Sequence, residues 1–195
     1  DYNAVRWTRH LFWQPNGFTA VLDELVALEP GEYSLRCCWR TYGEPELEGG
    51  ALTLSQDQAR FTLENLTGEA PEVVFQKNVG NWPVQHLYQR RSQRLAAGER
   101  VVSANVFAAW RDGTRPFAAR LVGADRVEVT SGGERVVLGL GDLAAPGVRA
   151  SAAAWMLRAG DLRLAAATRL AQDGQADWAA AAAGALRVSA RARQA

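Results

Sequence analysis

Apolar residues in this chain return at every second position far more often than at every third or fourth. A period of two puts alternate side chains on opposite faces of an extended strand, whereas a helix needs a period near 3.6. Candidate strands follow one another at short intervals: 4–13, 18–26, 32–42, 51–56, 59–65, 72–78, 85–95, 100–111, 117–122, 126–130, 134–140, 148–158, 161–170 and 184–192. Turn chemistry separates them, as in Pro15-Asn16-Gly17, Glu29-Pro30-Gly31, Asp112-Gly113, Gly132-Gly133 and Asp173-Gly174. Many short strands with such punctuation predict an all-β chain with few or no helices, folded as an antiparallel, multi-stranded β-sandwich of the supersandwich kind. The segment "ADWAAAAAGAL" is the one place where alanine propensity argues for helix against its surroundings.

Bulk properties add bounds. A chain of 195 residues suits one sandwich domain over 1–195, and 48% hydrophobic residues can bury a substantial core. A net charge of +1 does not mark a polyanion-binding protein at the level of the whole chain. Lys77 is the single lysine, so nearly every cation is an arginine able to bind carboxylate or sulfate through two nitrogens. Cys37 and Cys38 are adjacent, point to opposite faces of a strand and read as free thiols. No run reaches the ~18 consecutive apolar residues of a membrane span. The chain opens at Asp1 without a signal peptide, as a mature protein or an excised domain would. There is no Ser-His-Asp triad, phosphate loop or nucleic-acid motif.

One residue sets a problem. In "GFTAVLDEL" an aspartate, Asp23, stands inside an apolar strand, where a carboxylate is costly unless paired. With "QPNG" as the hairpin loop and Trp13 facing Phe18, Thr8 lies opposite Asp23, with Arg6 and His10 diagonal to it. Trp7, Leu11 and Trp13 then take the core side. If the polar set of the next strand shares Asp23's face, Arg36 and Arg40 join it, and Asp23 is held in a structural ion pair with Arg6, Arg36 or Arg40. The run Arg90, Arg91, Arg94 reads as a solvated strand face or a glycan contact, and Trp82 and Trp110 as the exposed tryptophans.

"RHLFWQPNGFTAVLDELVALEPGEYSLRCCWRT" resembles the start of the C-terminal β-sandwich of heparinase II/III-like polysaccharide lyases. The likeness continues in "QHLYQRRSQRLAAGERVVSANVFAA" and "AAAWMLRAGDLRLAAATRL" and covers most of the chain. The resemblance implies an accessory sandwich that packs on an N-terminal helical catalytic toroid of the same bacterial protein, outside these 195 residues. There it would shape a cleft for an acidic polysaccharide. Family members cleave such polymers by β-elimination, a base removing the proton beside the uronic carboxylate. This chain alone is expected to carry no catalytic residue; Arg6, His10, Arg36, Arg40, Trp82 and Trp110 are the candidate substrate contacts. A stand-alone carbohydrate-binding or purely structural module is the alternative. The resemblance places the protein in the periplasm or outside the cell. Some members hold zinc in the sandwich; Asp23 matches the aspartate there, but the strand around Trp39-Arg40 offers no histidine, leaving His10 and, at a stretch, Cys38. No metal and no cofactor are expected.

Overall fold

A computed structural model describes residues 4–68, 72–77, 83–111, 113–159, 161–173 and 178–189. The chain is all-β and pairs its strands antiparallel, consistent with a β-sandwich. No helix is long and apolar enough to cross a membrane. The chain divides into two compact units, 1–119 and 120–195.

The first unit holds β1 (Val5–Trp13), β2 (Thr19–Ala27), β3 (Gly31–Thr41), β4 (Glu44–Glu48), β5 (Ala51–Gln56), β6 (Ala59–Asn65), β7 (Glu72–Lys77), β8 (Pro83–Leu95) and β9 (Arg100–Trp110). They form a six-stranded sheet in the order β1-β2-β9-β6-β5-β4 and a three-stranded sheet in the order β3-β8-β7. The sheets face each other through two apolar clusters. One joins Leu52, Leu54, Leu63, Phe61 and Phe107 of the large sheet to Trp39 and Leu87 of the small one. The other gathers Ala27, Leu25 and Val101 with Leu95, Tyr33 and Leu35. Along β3 the odd residues 33–39 are half-buried and the even residues 32–40 exposed, the alternation of a strand covered on one side.

β10 (Phe117–Gly123), β11 (Arg126–Ser131), β12 (Glu134–Ala145), β13 (Val148–Arg158), β14 (Asp161–Gln172) and β15 (Trp178–Ser189) form a six-stranded meander in sequence order. Trp155, Leu143, Leu162 and Leu164 lead its core. Trp155 lies over its register partner Gly139, where an added Cβ would sit 2.6 Å from the indole. The alanine-rich segment is strand β15, paired with β14, so sheet context overrides helix propensity there.

Two departures from the sequence reading matter. β4, "EPELE", is fully exposed and has no apolar alternation to betray it; it is an edge strand guarded by glutamates and a proline. And β3 leaves the sheet of β1 and β2 altogether, pairing with β8 in the opposite layer.

Candidate functional site

The β1–β2 hairpin decides what surrounds Asp23. Its loop is one residue longer than "QPNG" alone allows: the Gln14 amide donates to Phe18 O at 2.9 Å, and Trp13 faces Thr19. Asn16 adopts a left-handed φ of 56°, which an asparagine tolerates. The added residue slides β1 along β2, so Arg9 is the register partner of Asp23. A one-residue slide also exchanges the faces of β1. Trp7, Leu11 and Trp13 now flank Arg9 on Asp23's side, and they are 58%, 68% and 68% exposed. The expected core role of these three is thus corrected; Phe12 takes the buried position.

Asp23 is 8% exposed and well held. Arg9 Nε donates to Oδ1 at 2.7 Å and an Arg9 terminal nitrogen to Oδ2 at 2.8 Å, a two-pronged ion pair. Trp7 Nε1 donates to Oδ1 at 3.1 Å. The guanidinium lies over the rings of Trp7 and Trp39 at 5.1 and 4.8 Å. Its hydrogen bonds to Asp23 raise its pKa further above the ordinary arginine value. Cys37 Sγ stands 3.8 Å from Oδ2, and burial first, then the Asp23 charge, pushes its thiol up to about 11. Cys37 is therefore a neutral thiol at physiological pH.

The expected partners of Asp23 lie elsewhere. Arg6 and His10 occupy the opposite face of β1, where His10 Nε2 approaches Glu24 Oε2 at 3.5 Å and Glu24 also pairs with Arg100 at 3.1 Å. Arg36 and Arg40 lie on the outer face of the small sheet, because β3 is in the other layer. Trp110 is half-buried rather than exposed. Trp82 lies outside the described residues. Among the described residues no three His, Cys, Asp or Glu side chains gather as metal ligands.

Two arrangements remain on the small sheet. On its outer face Arg36 and Arg90 are register partners, and both lie over the Tyr88 ring, at 4.2 and 5.4 Å. Tyr88 OH meets His86 Nδ1 at 3.1 Å, and Arg40 faces His86 across the strands. On its inner face, a cavity of about 660 Å³ separates the two sheets beside the Arg9–Asp23 pair. Trp7, Leu35, Cys37, Gln89, Arg91 and Ser103 are among its walls. The sequence reading missed Arg9 because of the loop length. It missed the inward turn of Arg91 because "QRR" carries no apolar marker of which face is inside.

No protein-family model matches the chain, and no curated protein matches it. Among solved structures it is distantly similar to part of the crystal structure of a heparan sulfate lyase HepC mutant from Pedobacter heparinus, with a TM-score of 0.49 and 10% identity. The match covers 71% of this chain and 24% of that one, so the chain spans about a quarter of the length of its structural neighbour.

Proposed function

We propose that this chain is a non-catalytic β-sandwich of a polysaccharide lyase, packing on a helical catalytic domain of the same protein and contacting an acidic polysaccharide. The observation that carries the reading is the outer face of β3 and β8, where Arg36 and Arg90 lie over the Tyr88 ring with Arg40 alongside. Arg36, Arg40 and Arg90 place three exposed guanidinium groups on one face of two neighbouring strands. Arginine binds carboxylate and sulfate through paired nitrogens, and a tyrosine ring between them offers a surface for a sugar ring. The sequence resemblance to the sandwich of heparinase II/III-like lyases supports the same reading, and with it a site of action in the periplasm or outside the cell.

Arg36 and Arg40 carry the proposed contact. Arg6 and His10 belong to the other sheet and are assigned no glycan there. The test is retention on immobilised heparin over a salt gradient. The doubly substituted Arg36→Ala, Arg40→Ala chain should elute at distinctly lower salt than the unaltered chain, since each lost cation removes a screened electrostatic contact. Equal retention of the two would overturn the proposal. A stand-alone carbohydrate-binding module is the second reading, favoured by the exposed indoles of Trp7 and Trp13. Retention on a neutral polysaccharide, lost in Trp13→Ala, would favour it.

A further inference from the structure

The cavity inside the first unit poses a separate question. Its walls come from facing layers: Trp7, Arg9, Asp23 and Ser103 from the large sheet, Gln89 and Arg91 from the small one. Arg91 is half-buried and has no hydrogen-bond or ion-pair partner among the described residues. Asp23 is already neutralised by Arg9, and the Cys37 thiol is neutral. Arg36 and Arg90 line the cavity as well, so arginines outnumber the single carboxylate Asp23 on its walls, and the partly desolvated, unpaired charge of Arg91 is unfavourable there. Ser103 likewise has no side-chain partner among the described residues. Behind the wall, Gln89 Oε1, Gln93 Oε1 and Asn105 Nδ2 are buried without partners there, so this interior is built polar.

The shape restricts what enters. The apolar cluster of Leu52, Leu63 and Leu87 and that of Ala27, Leu95 and Val101 lie between the same two sheets. Leu25, Leu35, Tyr33 and Val101 of the second cluster line the cavity directly. The cavity lies between the sheets of the sandwich and opens to solvent past Trp7 on β1 and past the exposed Ser34, Arg36, Cys38 and Arg90 of β3 and β8. Such a space accommodates a small molecule or a chain end. Its size falls within the range of about 300–1,000 Å³ typical of small-molecule sites, far larger than a bare ion requires.

We infer that this cavity binds one hydroxyl-bearing carboxylate of sugar size, its carboxylate on Arg91, a hydroxyl on Ser103 and its ring against Trp7 at the mouth. The pairing is chemical: guanidinium and carboxylate match through two parallel hydrogen bonds, a serine can give or take one from a hydroxyl, and an indole face packs on a sugar's C–H face. Arg91 and Ser103 are not part of the outer arginine face; Arg36 and Arg90 also line the cavity, so Arg40, which does not, is the outer-face residue that tells the two sites apart.

Calorimetric titration of the whole chain with sodium glucuronate, with glucose as the neutral control, tests it. Saturable one-site binding of glucuronate, at least tenfold weaker for glucose, is expected. Arg91→Gln should weaken glucuronate binding at least tenfold while leaving the melting temperature near that of the unaltered chain. Ser103→Ala, which removes only the hydroxyl, should weaken it severalfold and stands in if Arg91→Gln fails to fold. Arg40→Ala, which changes a residue outside the cavity, should bind glucuronate normally while eluting earlier from heparin, which separates this site from the heparin contact. A short oligosaccharide ending in glucuronate that binds as well as the monosaccharide identifies a chain end as occupant; binding of the monosaccharide alone identifies the free acid. Absence of saturable binding by both, or unchanged binding in both Arg91→Gln and Ser103→Ala, overturns the inference.

Discussion

Asp23 accepts two hydrogen bonds from Arg9, one from Trp7 and a weak one from Cys37, a set that no uncharged side chain of its size can accept in full. Asp23→Ala should therefore strand a guanidinium between two indoles. Removing one partner of a fully buried pair costs about 3–5 kcal/mol, and solvent reaching Arg9 reduces this, so a loss of about 2 kcal/mol is expected in urea unfolding. The two cysteines give a second residue-scale prediction. Cys38 is exposed, whereas burial and Asp23 hold the Cys37 thiol at about 11. Iodoacetamide at pH 8 should label Cys38 rapidly and Cys37 only on unfolding, as mass spectrometry of the peptide will show. In the second unit, Arg120 and Arg135 grip Glu128 from either side at 2.6–2.8 and 2.5 Å and lower its pKa. A depressed carboxyl stabilises above its unfolded pKa, and that stabilisation disappears as the pH falls through the folded value. Glu128→Gln should thus lower stability at pH 7, by a margin that shrinks as the pH falls below the ordinary glutamate range, with a smaller difference in high salt because both arginines are largely exposed.

At the scale of elements, most strands were legible because each keeps one apolar face. β5, β6 and β13 begin and end where the alternation does. β4 was invisible because an edge strand exposed along its whole length needs no apolar face. The hairpin register was beyond reach for a different reason. "QPNG" fits a four-residue loop and a five-residue one equally well, and a single residue decides whether Arg6 and His10 or Trp7 and Arg9 stand beside Asp23. The need for a cation near Asp23 could be read from burial cost alone; its identity could not. The Gly139–Trp155 pair is a further element-scale device, a glycine that admits a ring. Gly139→Ala would force the indole, 2% exposed, out of its place. Overpacking of this kind costs about 1–3 kcal/mol, and the near-ultraviolet tryptophan signal should change with it.

For the whole molecule, the chemistry needed for β-elimination is a free base beside a group that neutralises the uronate. Of the two histidines, His10 faces Glu24 and His86 bonds Tyr88. The Tyr33 hydroxyl donates to backbone carbonyls of Ala4 and Glu29. These side chains are occupied with holding the fold. Incubation with heparin, heparan sulfate, alginate or hyaluronan should accordingly give no enzyme-dependent rise in ultraviolet absorbance from unsaturated products. A rise on any of them would place a catalytic site within this chain.

The two ends of the large sheet are unlike. At one end β4 presents glutamates and a proline; at the other β1 presents Trp7, Leu11 and Trp13 beside an edge that no described strand covers. A sheet with both edges open can grow without limit, and that is how fibres start. Here addition at β1 uses up the single receptive edge of each copy and leaves a repelling one at either extremity. Any self-assembly through this sheet would therefore stop at a pair, a stop built into the five residues of β4.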